Sequence, residues 1–69
     1  MRLSYFAETD SLYIDLSDRT SVDSREVAPG VVLDFDEAGR LVGIDIDHTS
    51  ELLDLTKLET ESVPLAKPA

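Results

Sequence analysis

The sequence predicts an α+β fold: a small antiparallel β-meander sheet of about four to five strands, followed by one short C-terminal helix. Three observations predict it. Apolar residues recur at every second position in Leu12-Tyr13-Ile14-Asp15-Leu16, the period of a half-buried strand. The same period flanks Asp36-Glu37-Ala38-Gly39, a turn-rich tetrapeptide that joins two strands into a hairpin. After Asp47 the period lengthens, with Leu52, Leu53 and Leu55 largely on one side of a helix.

Leu3 and Tyr5 mark a first strand, and Ala7-Glu8-Thr9-Asp10 supplies the turn into the second. The short carboxylate of Asp10 suits hydrogen bonds from loop amides. Ser17-Asp18-Arg19-Thr20-Ser21 is polar and reads as a loop. Val22 to Ala28 forms a third strand whose weaker pattern places it near a sheet edge. Pro29-Gly30 suits the centre of a type II turn, because proline fixes its own φ and glycine tolerates a positive one. Such turns do not match the twist of a tight hairpin, so a bulge or sharp bend is expected with it.

In the hairpin from Val31 to Asp47, a four-residue loop with Gly39 left-handed pairs Phe35 with Arg40, Leu33 with Val42, and Val31 with Ile44. One face is then apolar and is joined by Ile46. The other carries Val32, Asp34, Leu41, Gly43 and Asp45, a mixed set that a helix or a second subunit would partly cover. Ser50 is the N-cap candidate, Thr49 its rival, and Glu51 sits favourably in the first turn. The helix is expected near 50–58, within a single domain spanning 1–63. Glu59 to Val63 reads as a brief strand or as free chain, and 64–69 as a flexible tail.

With 69 residues, the chain has room for one domain. Its 42% hydrophobic content argues for a folded core rather than disorder. A domain this small buries only about 60% of its unfolded surface, so it calls for a staple. Cysteine is absent and there is 1 histidine, which rules out disulfides and thiolate metal sites and points to a partner subunit. Asp and Glu number 15 against 6 Lys and Arg, for a net charge of −9. That field repels phosphate backbones and attracts basic surfaces. The opening Met1-Arg2-Leu3-Ser4-Tyr5 contains no apolar run of the kind found in signal peptides or membrane anchors, and the expected location is the cytoplasm.

Four segments carry a family resemblance: Tyr5; Asp10-Ser11-Leu12-Tyr13-Ile14-Asp15-Leu16; Val27-Ala28-Pro29-Gly30-Val31; and Asp34-Phe35-Asp36-Glu37-Ala38-Gly39-Arg40-Leu41-Val42-Gly43-Ile44-Asp45-Ile46. Together they resemble a family of small prokaryotic proteins known as domain of unknown function twenty-two eighty-three. The resemblance runs from Leu3 to Leu53. Phe6 departs from it, since the family commonly has an aspartate after the tyrosine, and the first turn is expected to differ. The resemblance implies a compact β-rich fold, supplies no catalytic residues, and through neighbouring toxin-like genes implies an antitoxin-like partner role.

The sharpest chemical motif is Asp34-Phe35-Asp36-Glu37-Ala38-Gly39, with Asp45 at the twelfth position of a calcium-type loop. Ala38 stands where a fifth-position ligand belongs, and Asp45 is shorter than the usual bidentate Glu. Leu41-Val42-Gly43-Ile44 continues as strand where a calcium loop must wrap its ion. An acid pair fails on spacing: in the expected register Asp34 faces Leu41 and Asp45 lies near Gly30, more than about 10 Å apart. His48 reads as a partly exposed junction residue, and none of Ser4, Ser11 or Ser24 lies in a nucleophile-elbow context. Tyr5 and Tyr13 are expected to pack their rings and leave their hydroxyls at the rim.

The expectation is therefore a non-enzymatic protein-binding or regulatory module without cofactor, acting as a homodimer and contacting a basic protein. Direct nucleic-acid and membrane contacts are disfavoured. The alternative is a metal- or small-ligand-binding protein that uses the loop carboxylates near Asp34 and Asp36.

Overall fold

The computed structural model describes residues 1–64, in which five antiparallel strands form one sheet. They are β1 (Arg2–Phe6), β2 (Ser11–Asp15), β3 (Asp23–Ala28), β4 (Val31–Phe35) and β5 (Leu41–Ile46), and one helical turn, α1 (Thr49–Leu52), follows. The order across the sheet is β1-β2-β5-β4-β3. β1 follows into β2 and β3 into β4 and β5, as in a meander. The chain after β2 instead crosses to the far edge, so β5 closes back against β2. Composition accounts for this. β5 is rich in aliphatic residues and takes the centre, whereas β3 is exposed along its length, carries three charges, and takes an edge, as its weak pattern predicts.

Residues paired across neighbouring strands share a face, so the registers define rows across the sheet. One face carries Leu3–Ile14–Ile44–Leu33–Arg25 and, beside it, Tyr5–Leu12–Ile46–Val31. The other carries Arg2–Asp15–Gly43–Asp34–Ser24 and Ser4–Tyr13–Asp45–Val32–Glu26. Period-two patterning has sorted most apolar from polar side chains in β1, β2, β4 and β5, whereas β3 brings Arg25 to the apolar face and Val32 of β4 lies on the polar one. Among the described residues the buried apolar side chains are Leu12 and Val42, so this core is one layer deep.

The expected turns form. Gly30 and Gly39 have φ of 77 and 82, and a register shift between Glu26 and Ala28 accompanies the Pro29-Gly30 turn. The register of the β4–β5 hairpin is corrected by two positions: Leu33 pairs with Ile44 and Val31 with Ile46. A bulge beside Phe35 absorbs the difference, pairs Phe35 with Leu41, and leaves Val42 as the extra residue, 2% exposed. A two-residue slip keeps every side chain of β4 on its expected face, which is why the apolar pattern could not distinguish the two registers. Leu41 does change sides, joining Phe35.

The helix expected near 50–58 stops after one turn. Leu53 is already extended (φ −130, ψ 152), its amide donating to the Thr49 carbonyl at 2.8 Å. The chain then lies over the β1–β2 half of the apolar face, where Leu53, Leu55 and Leu58 line a groove of about 500 Å³ with Leu3, Leu12 and Ile14. These leucines line the groove from irregular chain rather than from a helix. No strand forms between Glu59 and Val63. The tail expected over 64–69 lies, Pro64 apart, outside the described residues.

Candidate functional site

The carboxylates singled out by the sequence go to separate tasks. Asp36, at the start of the β4–β5 loop, is 7% exposed. Its Oδ1 accepts the amides of Ala38 (3.0 Å) and Arg40 (2.8 Å); its Oδ2 accepts Nε of Arg19 (2.7 Å) and of Arg40 (3.1 Å). The Arg40 amide leads in holding this carboxyl below its usual 3.8, helped by the Arg40 charge, the Ala38 amide and Arg19 against the opposing effect of desolvation. Four donors leave it no free lone pair for a calcium-type loop. It is a turn clamp, and Arg19 comes from the loop that the sequence shows only as polar.

Asp34 lies on the polar face. Its Oδ2 accepts the Tyr13 hydroxyl at 3.0 Å, and its Oδ1 the Ser24 hydroxyl at 2.6 Å. Tyr13 reaches it by lying across Gly43, where a side-chain carbon would stand 2.6 Å from the ring's Cζ. Burial first, then the Asp34 hydrogen bond, raises the Tyr13 pKa above 10.0. The corrected register also changes the acid spacing. Asp34 stands opposite Gly43 and Asp45 opposite Val32, which makes the two acids diagonal neighbours, closer than the expected separation. Desolvation raises the Asp45 pKa, with the charges of Asp47 and Asp34 adding to it.

A third cluster joins the sheet to α1. Asp10, in the left-handed region at φ 52, accepts the Tyr5 hydroxyl on Oδ1 at 2.7 Å and the Ser50 hydroxyl on Oδ2 at 2.7 Å. The Ser50 amide donates to the same carboxylate at 3.1 Å. The Asp10 carbonyl accepts the Thr49 amide at 2.9 Å. The Thr49 hydroxyl, fully buried, lies 2.9 Å from that carbonyl and 2.8 Å from the Ile46 carbonyl. Hydrogen bonds from Ser50, then from Tyr5, lower the Asp10 pKa. Neither Ser50 nor Thr49 caps the helix as expected: the N-cap position is His48, exposed and left-handed at φ 51, and Asp10 does the capping from across the fold. His48 Nδ1 lies 4.0 Å from Glu51 Oε2, and both side chains are exposed.

Among the described residues, no group of three or more His, Cys, Asp or Glu side chains is placed to hold a metal ion. What remains unaccounted for is the apolar face. Leu3, Tyr5, Leu53 and Leu55 are all more than 40% exposed there; Leu12 is buried, and Ile14, Val31, Leu33, Ile44 and Ile46 are half-buried. The face expected to be partly covered by the helix or a second subunit is the mixed one with Asp34 and Asp45; it is the apolar side that lacks a complete cover.

The fold and its clusters thus define a class: a one-layer antiparallel sheet with clamped turns, a polar face tied by its own hydrogen bonds, and an open apolar face. Residues 2–50 match the family described as protein of unknown function (DUF2283), and the chain belongs to that family. No curated protein matches the chain. No solved structure does either. Among the described residues, no helix is long and apolar enough to cross a membrane.

Proposed function

We propose that this protein is a non-enzymatic binding module that associates with a second copy of itself and, through its acidic surface, with a basic protein. The half-open apolar face carries the reading. A folded monomer of 7.6 kDa is expected to expose about 4,300 Å², whereas this chain exposes 5618 Å². Its radius of gyration is 13.4 Å where about 11 Å is usual for this length. A body 20 Å along its shortest axis and the exposed chain after Thr49 both contribute, and the sheet by itself buries little of its apolar surface.

Light scattering on a sizing column tests self-association: a dimer at micromolar concentration is expected, and a clean monomer overturns it. Salt separates the two contacts. Copies of a chain with charge −9 repel one another, so the self-contact tightens as salt rises, while capture of a basic protein weakens. A low-salt pull-down from the native host that recovers no basic protein removes the second half of the proposal.

A further inference from the structure

The two edges of the sheet differ in a way that selects one of them for pairing. β3 has Asp23, Arg25 and Glu26 along it, a register shift between Glu26 and Ala28, and Pro29 directly after its end. Charges, bulges and proline are the devices by which proteins keep edge strands from adding to other strands. β1, Arg-Leu-Ser-Tyr-Phe, has none of them beyond Arg2 at its first position, and its register with β2 is unbroken over all five residues. It is also the less charged edge of a strongly acidic chain.

The direction of its free backbone groups follows from the ladder. The Leu16 amide donates to Val42 in β5, so alternation turns Asp15 and Tyr13 toward β1. Their partners Arg2 and Ser4 bond inward, which leaves the amides and carbonyls of Leu3 and Tyr5 pointing out of the sheet.

We infer that β1 pairs antiparallel with β1 of a second copy, about a two-fold axis at Ser4, to make one continuous ten-stranded sheet. The inference rests on the self-association proposed above and gives it an edge contact, which joins the apolar faces of the two copies side by side and buries Leu3 and Tyr5 at the seam without adding a second layer. Outward-facing residues can bond only to outward-facing residues. Of the registers that satisfy this, the one pairing Leu3 with the second copy's Tyr5 is the one that engages all five residues. It sets Arg2 opposite the aromatic ring of Phe6, a cation facing a ring rather than another cation. It places two Leu3 and two Tyr5 side chains, 44% and 47% exposed in the single chain, in one apolar cluster. Paired residues share a face, so the apolar sides of the two copies become continuous across the seam.

Two measurements test it. In the native chain under conditions where light scattering reports a dimer, the Leu3 and Tyr5 amides should exchange with solvent at least roughly tenfold more slowly than unpaired amides. The chain has no cysteine, so Ser4→Cys introduces a single thiol. Opposed Ser4 residues form a non-hydrogen-bonded pair with Cα atoms about 4.5 Å apart, within disulfide range. Mild oxidation should convert Ser4→Cys to a covalent dimer and leave Glu26→Cys, on the other edge, uncrosslinked. A dimer whose Leu3 and Tyr5 amides exchange freely, with Ser4→Cys failing to crosslink, overturns the edge assignment and leaves self-association standing. A monomer at every concentration overturns both. If Ser4→Cys does not fold, the exchange rates of the native chain decide.

Discussion

Strand β5 is held at both ends by an aspartate, and the two aspartates work at different ranges. At its start, Asp36 gathers Ala38 and Arg40 from its own turn, adding Arg19 from a loop. At its end, Asp10 gathers Thr49 and Ser50 from 39 and 40 positions away. Apart from Arg19, the first clamp closes when a single hairpin closes. The second closes fully only when β1, β2 and β5 are side by side, because its bonds to Thr49 and Ser50, unlike the local one from Tyr5, span a long stretch of chain whose ordering entropy must first be met. The near clamp is also the drier one, at 7% exposure, and it binds two guanidinium groups, so it should carry more of the stability.

That ranking can be broken most directly at Asp36. Asp36→Asn keeps one carbonyl acceptor but turns an amide toward Arg19 and Arg40, and the melting temperature should fall on the order of 10 °C by circular dichroism. A loss no greater than that of Asp10→Asn would reverse the ranking. Between the two ends stands Gly43. Gly43→Ala drives a methyl into Tyr13 and should cost about 4–8 °C. Adding Tyr13→Leu should restore part of that loss, since neighbouring substitutions couple. If the two losses simply add, the ring does not depend on the bare backbone beneath it.

The turn around the near clamp is legible in the sequence, but the clamp is not: the residues suggest Asp36 as a loop ligand and Asp10 as the acceptor of loop amides. Turn chemistry is local, so Gly39, Pro29-Gly30 and the Asp36 loop could be read from a few adjacent residues. Period two likewise sorted Leu12, Ile14, Leu33 and Ile44 onto one face. It could not fix the hairpin register, because a bulge at Val42 shifts pairing by two without moving β4 to its other face. Gly43 did carry a signal: an isolated glycine inside a strand often marks close approach by another group. The joining of Asp10 to Ser50, and of Tyr13 to Asp34, depends on strand order, which periodicity does not encode. The leucines after Leu52 mislead because their spacing also serves an irregular segment that has an apolar face to lie on.

Asp10→Asn should lower the melting temperature by a smaller step, about 4 °C. Acid sharpens the comparison, because both carboxyls are held below 3.8. A depressed folded pKa contributes stability that is present above the unfolded value and is lost as pH falls through the folded one. The native chain should therefore lose melting temperature below about pH 3.8. The Asp36→Asn variant should show a flatter decline than Asp10→Asn, since it has lost the stronger of the two acid-sensitive clamps.

Asp45 reverses the sign. Burial first, then the charges of Asp47 and Asp34, raise its pKa, so its ionised form disfavours the fold above that value. Asp45→Asn should raise the melting temperature at neutral pH by about 1–3 °C. The gain should vanish at acid pH, where the native carboxyl is also neutral. The side chain belongs to neither clamp, so it measures what the acidic face costs when no partner holds it. A fall in stability instead would mean that the Asp45 carboxylate gains more from its surroundings than its burial costs. If a chelator then lowered the native melting temperature to that of the variant, the carboxylates of Asp34 and Asp45 would have to be treated as a binding site after all.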